Sequence, residues 1–199
     1  MAQKGIKMEK NTKQTLLLHS CCGPCSSAVL ERLVADYNVT VLYYNPCIHP
    51  QSEYIKRKET QLEVIKKLNE KSDSKILFLD CDYDPESYFE KVKGLENEKE
   101  GGARCEVCFK QRLEMTARLA KENGFDLFTT TLTVSPHKNA ELINEIGEKF
   151  AKEFGVEFLY SNFKKQNGYL RSIELSKEMG LYRQNYCGCA YSIREVKDE

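Results

Sequence analysis

The chain has 199 residues, of which 41% are hydrophobic and 30% charged, and its formal net charge is zero. Eleven Tyr and nine Phe beside these charges argue against disorder, and no stretch approaches the run of about 20 apolar residues that a membrane-spanning helix needs. The first residues are basic and polar, unlike a secretory signal. We expect a cytoplasmic protein with a flexible extension over 1–14 and one α/β domain over 15–199, whose cysteine-bearing tail spans 161–199.

Apolar runs and stretches of helical periodicity alternate along the chain. The predicted strands are residues 14–19, 39–44, 76–80, 125–131 and 156–160. The predicted helices are residues 26–37, 52–68, 85–92, 105–123, 139–154 and 169–179. This alternation predicts βαβ units, and hence an open, mainly parallel sheet of about five strands with helices on both faces and a C-terminal helical tail.

Chemically distinctive residues follow the predicted strands. The segment CCGPC follows the first strand, Cys47 the second, Cys81 and Asp82 the third, and the segment TVSPHKN lies at the end of the fourth. In an open α/β sheet, ligands bind beyond the carboxyl ends of the strands. We therefore expect these distant segments to converge at one edge of the sheet.

Nine cysteines in a cytoplasmic chain call for an explanation other than a disulfide framework, because the cytosol keeps thiols reduced and an odd number cannot pair completely. Most of them fall into three tight groups, the pattern of metal ligands or redox pairs. These groups are Cys21, Cys22 and Cys25; Cys105 and Cys108; and Cys187 and Cys189. The two isolated cysteines, Cys47 and Cys81, are interpreted as small buried residues at strand ends.

The first two groups allow two interpretations. Cys22-Gly-Pro-Cys25 between a strand and a helix matches the dithiol of thioredoxin-like oxidoreductases, but Cys21 would then have no role. Alternatively, Cys105 and Cys108 join Cys21 and Cys22 as four thiolate ligands of a structural zinc ion or an iron–sulfur cluster. Adjacent cysteines are unusual in structural zinc sites, which favours the cluster.

The remaining cysteines suggest two further sites. Cys187-Gly188-Cys189 closes only a strained disulfide, which suits a two-electron relay, although two additional metal ligands are the alternative. Cys25 and the nearby Asp80 and Asp82 offer the mixed soft and hard ligands of a second metal ion such as iron. Solvated or helix-capping acids are the alternative for the two aspartates.

A zero net charge excludes a global field that attracts nucleic acid, but it leaves room for a local basic face. Basic and aromatic residues interleave in the last third of the chain, as in proteins that bind RNA loops. The turn after the fourth strand suits phosphate or sugar contacts, or else is an ordinary capping turn. The candidate RNA-contacting residues are Ser135, His137, Lys138, Asn139, Arg171 and Arg183.

Four motifs together resemble the QueH-type epoxyqueuosine reductases over residues 16–191. They are CCGPC after the first strand, R-C-x-x-C-F opening a long helix, T-T-L-x-x-S-P-x-K-N after a strand, and C-G-C near the end. The resemblance implies a PP-loop-like (HUP-like) α/β fold. It also implies a 4Fe–4S cluster on Cys21, Cys22, Cys105 and Cys108, and a redox-active disulfide between Cys187 and Cys189. An additional iron near the cluster is implied as well, and Cys25 and Asp82 are the candidate catalytic ligands.

The resemblance further implies reductive removal of the epoxide oxygen from epoxyqueuosine at the wobble position of tRNA, the last step of queuosine biosynthesis. The expected partners are tRNA carrying epoxyqueuosine in its anticodon loop and an external electron donor, with no membrane. Three alternatives remain at this stage. They are a PP-loop-like tRNA-thiolating enzyme, a thioredoxin-like oxidoreductase and a zinc-stabilised RNA-binding module.

Overall fold

A computed structural model of the chain describes residues 13–71 and 75–193, so most of the predicted extension lies outside the described residues. The strands are β1 (Thr15–His19), β2 (Asn38–Tyr43), β3 (Leu77–Asp80), β4 (Leu127–Thr130) and β5 (Glu157–Phe158). They form one sheet in the order β3-β2-β1-β4-β5, and every neighbouring pair is parallel. The predicted five-stranded parallel sheet is therefore confirmed.

In the part of the chain that the structure describes, six α-helices cover the two faces of this sheet. They are α1 (Gly23–Leu33), α2 (Gln51–Lys71), α3 (Pro85–Lys91), α4 (Ala103–Glu122), α5 (Ala140–Phe154) and α6 (Gly168–Glu178). Leu16 and Leu18 of β1 pack into a core with α1, α2 and α6, whereas Leu17 packs into a second core with α4 and α5. Successive strand residues point to opposite faces. The apolar run of β1 is thus buried on both sides.

Most elements differ from their predicted bounds by a few residues, and α1, which ends at Leu33 rather than at residue 37, and β5 show why. Helix α1 begins at Gly23 rather than at residue 26, because Pro24 suits the first helical turn and Cys22 already serves as the N-cap. Strand β5 contains only Glu157 and Phe158 instead of residues 156–160. Its hydrogen-bond ladder with β4 spans only two residue pairs. Beyond it, the Thr129 hydroxyl donates to the Leu159 carbonyl at 2.9 Å, so a side chain replaces a backbone donor.

The C-terminal part of the chain packs against the sheet. Helix α6 lies against α1 and contributes Leu175 and Met179 to the shared core. After α6, the chain returns to the β2–α2 connection, where Cys189 forms an antiparallel bridge with Ile48. Among residues 13–71 and 75–193, no helix has both the length and the apolar character needed to cross a membrane.

Candidate metal and redox site

The order of the strands reverses beside β1, and the candidate site lies at this point. The chain leaves β1 for β2 on one side, whereas β4 pairs with β1 on the other. A crevice at such a switch point is the usual ligand position in open parallel sheets. Cys21 and Cys22 follow β1 directly, and Ser135 follows the 3-10 turn Thr131–Val134 after β4. The predicted convergence at one edge of the sheet is therefore observed for these segments.

The sulfur atoms of Cys21, Cys22 and Cys25 form one compact group. Their ligand atoms lie within 4.8 Å of one another, a spacing that could hold a metal ion. Cys22 caps α1 and Cys25 lies in its first turn, so the helix start brings both side chains to the same place. The sequence analysis grouped these three cysteines but assigned Cys25 to a different metal ion. We call their three neighbouring sulfurs the first sulfur group.

Hydrogen bonds within this group favour a negative charge on one sulfur. The thiols of Cys22 and Cys25 stabilise the Cys21 thiolate, which holds the pKa of Cys21 well below its ordinary value. Burial lowers the pKa of the neighbouring His19 to about 4, so its imidazole is neutral at neutral pH. The structure thus favours the thiolate form of Cys21, the form that binds metals, at the end of β1.

A second sulfur group lies at the start of α4. Cys108 contacts Cys47, and its sulfur accepts a hydrogen bond from Nη2 of Arg112 at 2.7 Å. The Cys47 thiol, followed by the Arg112 charge, lowers the pKa of Cys108. Cys105 is half-buried, and its sulfur accepts from the backbone N–H of Gly101 at 3.1 Å. Cys47, Cys105 and Cys108 make up this second sulfur group.

Two joined pockets connect the sulfur groups with the C-terminal cysteines. One pocket is lined by Cys105, Cys108, Cys187 and Cys189, and the other by Cys21, Cys25 and Cys187. Both pockets are also lined by Glu100, His137 and Lys138. Cys187 therefore lines both pockets, and the cysteines that are far apart in sequence border two pockets with four lining residues in common.

The donor set fits a thiolate-ligated metal centre. Soft thiolates are the ligands of zinc and of iron–sulfur clusters. Cys22 accepts a hydrogen bond from Nε2 of Gln184 at 3.0 Å, so N–H groups point at sulfurs in both groups. The charges of Arg112 and Lys138 act on both Cys21 and Cys108, which balances the negative charge of the sulfurs. Hydrogen bonds to ligating sulfurs are a known means of setting cluster potentials.

The Cys-Gly-Cys segment is held firmly by a buried arginine of α2. The side chain of Arg57 is 1% exposed, and it donates to the carbonyl oxygens of Tyr186 at 3.1 Å and Cys187 at 3.0 Å. Its Nε atom donates to Glu53 at 2.6 Å. The backbone N–H of His49 completes the attachment by donating to the Gly188 carbonyl at 2.8 Å. The two thiols therefore occupy a fixed position, not a flexible tail.

Gly188 permits this close attachment. Its φ of +106° lies in the region that favours glycine, and a Cβ atom there would stand 2.7 Å from Nη1 of Arg57. Neither the backbone conformation nor the space tolerates a larger residue. The glycine between the two cysteines thus allows Arg57 to reach the backbone of the reactive segment.

Replacing Arg57 by methionine is expected to lower the melting temperature by roughly 6–12 °C. The substitution leaves Glu53 and two backbone carbonyls without their buried cationic partner, and breaking a buried pair costs about 3 kcal/mol or more. Calorimetry of both proteins measures the change. Lys58→Met on the same helix is the control, because Lys58 forms an exposed pair with Asp80 and should shift the melting temperature little. Equal shifts for both variants would contradict the role given to Arg57.

The candidate RNA-contacting residues separate into two sets. Ser135, His137, Lys138 and Arg183 line the pocket of the first sulfur group. Asn139 lines the other pocket, but its side-chain oxygen is already used to cap α5. Four of these candidates therefore surround the cavity, and Asn139 has a capping role beside it.

Arg171 and Asp82 lie apart from the cavity lining. The guanidinium of Arg171 is bound by three carboxylates, those of Glu31, Glu174 and Glu178. Asp82 is exposed, and its charge acts on Cys81 rather than on the first sulfur group. The structure thus does not bring these two residues to the other predicted site residues.

The sequence interpretation gave several residues of the site a different role or none. Cys47 was taken as a buried filler, yet it contacts Cys108. Arg112 lies one helical turn after Cys108, a spacing that is visible in the sequence. Arg57 and Tyr88, whose hydroxyl lies 3.1 Å from the Cys189 sulfur, carry no local signal because their partners are distant in the chain.

Comparison with known proteins shows which family the chain is similar to. The profile of the family described as "Epoxyqueuosine reductase QueH" matches residues 16–195. Relatives of that description include one from Streptococcus pyogenes, 44% identical over 94% of this chain and 73% of its own length, and one from Acinetobacter baylyi, 42% identical over 98% and 88%. A relative from Thermotoga maritima is 36% identical over 93% of both chains.

A solved structure supports the fold independently. A protein from Methanocaldococcus jannaschii described as a "predicted subunit of tRNA methyltransferase" superimposes with a TM-score of 0.52. The alignment covers 83% of this chain and 74% of the other at 16% identity, so it bears on the fold alone. The α/β architecture, the cysteine groups and the family profile agree. The chain belongs to the epoxyqueuosine reductase QueH family.

Proposed function

We propose that this chain reduces epoxyqueuosine to queuosine at the wobble position of tRNA. The observation that carries the proposal is that cysteines of both sulfur groups and of the Cys-Gly-Cys segment line two pockets that share residues, in a chain of the QueH family. The reaction takes two electrons and two protons, releases the epoxide oxygen as water and leaves an alkene. A site for it must store electrons beside the bound base, and the cysteines suit this task.

We infer that the first and second sulfur groups hold a 4Fe–4S cluster. The proposed ligands are Cys21, Cys22, Cys105 and Cys108. Cys25, whose sulfur lies in the first group, is available to a second, mononuclear iron, whereas the exposed position of Asp82 gives no support to it as a ligand. When bound, the cluster would supply single electrons, and the mononuclear iron would supply a Lewis acid for the epoxide oxygen.

The Cys187 and Cys189 thiols act as the two-electron store in this proposal. Their oxidation to a disulfide releases two electrons and two protons, the number that one deoxygenation consumes. An external donor then reduces the disulfide to the two thiols again. The fixed backbone of the segment, held by Arg57 and by the bridge between Ile48 and Cys189, keeps the pair beside both pockets.

The pocket lined by Cys21, Cys25 and Cys187 suits a base taken out of the anticodon loop. Its lining combines the basic Lys138 and Arg183 with the rings of Tyr169 and Tyr186. Enzymes that modify a base bind it outside the stack, and aromatic rings and cations recognise such bases and their phosphates. Burial disfavours the charged ammonium of Lys138, but the nearby sulfurs of Cys187 and the first group outweigh this and raise its pKa.

Replacing Lys138 by alanine is expected to weaken tRNA binding and to reduce the slope of log K against log salt concentration by about 1, the effect of one lost phosphate contact. Binding titrations at several salt concentrations measure the slope. Lys110→Ala is the control, since Lys110 is exposed on α4 and pairs with Glu106. An unchanged slope in the Lys138 variant would remove this residue from the RNA-binding surface.

The function is tested with anaerobically purified protein, tRNA carrying epoxyqueuosine and a chemical reductant. Nucleoside mass spectrometry should show the loss of one oxygen atom and the appearance of queuosine. Unmodified substrate after prolonged incubation with iron-loaded protein would refute the proposed function. A thiolated nucleoside formed only with ATP would instead support the tRNA-thiolating alternative.

A further inference from the structure

The hydroxyl of Tyr88 lies beneath the second cysteine of the proposed redox pair. Its Oη atom is 3.1 Å from the Cys189 sulfur. Tyr88 is 1% exposed and Cys189 is 7% exposed, so water has little access to this contact. Within the described part of the chain, the Cys189 sulfur is the hydrogen-bond partner recorded for this hydroxyl. A buried phenol thus points directly at a sulfur whose chemical state changes in the proposed reaction.

Both partners of this contact are held in place. Asp84 caps α3 by accepting from the Ser87 N–H, which fixes the helix that carries Tyr88. The Tyr88 ring packs in a buried cluster with Tyr43, Cys47 and Ile48, and Ile48 also forms the backbone bridge with Cys189. The short distance is therefore a property of the packed core and not of a mobile side chain.

The contact distinguishes the two redox states of the pair. A thiol can both accept a hydrogen bond from the phenol and donate one to its oxygen, whereas a disulfide sulfur has no proton and is only a weak acceptor. Burial raises the pKa of Tyr88, so the hydroxyl keeps the proton that it donates. The hydrogen bond consequently stabilises the reduced pair relative to the disulfide.

We propose that Tyr88 is a positioning residue that sets the reduction potential of the Cys187–Cys189 pair through its hydrogen bond to the Cys189 sulfur. This inference rests on the proposed redox role of the two cysteines. Reduction by glutathione breaks the Cys187–Cys189 bond, forms two protein thiols and yields one glutathione disulfide from two glutathione molecules. Tyr88 takes no part in the electron transfer and shifts only its equilibrium.

The test compares the parent protein with Tyr88→Phe, which removes one hydroxyl and keeps the packed ring. Anaerobic samples are equilibrated in glutathione redox buffers, and free thiols are labelled and analysed by mass spectrometry. Trypsin releases the peptide 184–194, whose only cysteines are Cys187 and Cys189, so the other cysteines do not interfere. Tyr43→Phe is the matched control. Tyr43 is fully buried in the same cluster, and its hydroxyl donates to the Tyr54 carbonyl instead of a sulfur.

We expect Tyr88→Phe to lower the equilibrium constant for reduction about tenfold, which corresponds to a midpoint about 30 mV more negative. Tyr43→Phe should leave the midpoint at the parent value, and equal melting temperatures would show that both variants are folded. A Tyr88→Phe midpoint equal to that of the parent would overturn the role of Tyr88 alone. A parent peptide that forms no disulfide in any buffer would overturn the redox role of the pair itself, and with it this inference.

Discussion

Cys105→Ser is expected to abolish the iron–sulfur chromophore and to lower the bound iron from about four atoms per chain to a small residue. Serine has a hard, protonated oxygen where the proposed cluster needs a soft thiolate, and three remaining thiolates do not retain the cluster stably. Iron and sulfide analysis of anaerobically purified protein, with an absorption spectrum before and after dithionite, measures the effect.

Cys81→Ser is the matched control for this substitution. Cys81 is half-buried like Cys105, but it belongs to neither sulfur group and lines neither of the joined pockets. Full iron and sulfide in Cys105→Ser would show that Cys105 is not a ligand of the cluster. A colourless parent protein that carries one zinc ion would refute the cluster and favour a structural zinc site.

Cys189→Ser should leave the chromophore intact and lower multiple turnover with a dithiol reductant by at least about a hundredfold. The variant retains all four proposed cluster ligands, but it cannot form the disulfide that stores two electrons. Residues that act as a catalytic unit lose most of the activity when one member is removed. Queuosine formation per chain over time measures turnover, and the absorption spectrum reports on the cluster.

The same Cys81→Ser variant serves as the control, because it also replaces one thiol by a hydroxyl. Parent-like turnover in Cys189→Ser would show that the C-terminal pair is no relay. Loss of both turnover and chromophore would show instead that Cys189 helps to hold the metal centre, the ligand role left open for the Cys-Gly-Cys segment.

The sheet was predictable because local patterns determine it. The apolar run of β1 must be buried on both faces, and only a parallel sheet with helices on both sides provides this for successive residues such as Leu16 and Leu17. The position of the site at the carboxyl ends of the strands could be predicted from the same topology. The sequence grouped Cys21, Cys22 and Cys25 but missed the helix start that holds two of them, because Gly23 and Pro24 show no apolar periodicity that would mark an earlier start of α1.

The attachment of the C-terminal segment could not be predicted from local sequence. It depends on Arg57 and Ile48, which lie more than a hundred residues away in the chain and match no motif. Arg171 illustrates the opposite error. Its basic character suggested RNA binding, but Glu31 of α1 lies opposite it only in the folded chain and joins two glutamates of α6 in binding its guanidinium.

Cys187 has a position that constrains the order of events in a catalytic cycle. It is the more accessible cysteine of the pair, whereas Cys189 is buried, so a reductant would attack the disulfide at Cys187. The same sulfur borders the pocket proposed for the RNA base. Reductant and tRNA therefore approach the same sulfur. Reduction of the Cys187–Cys189 disulfide and deoxygenation of the base should therefore alternate. An excess of unmodified tRNA should slow the enzyme by blocking access of the reductant to Cys187.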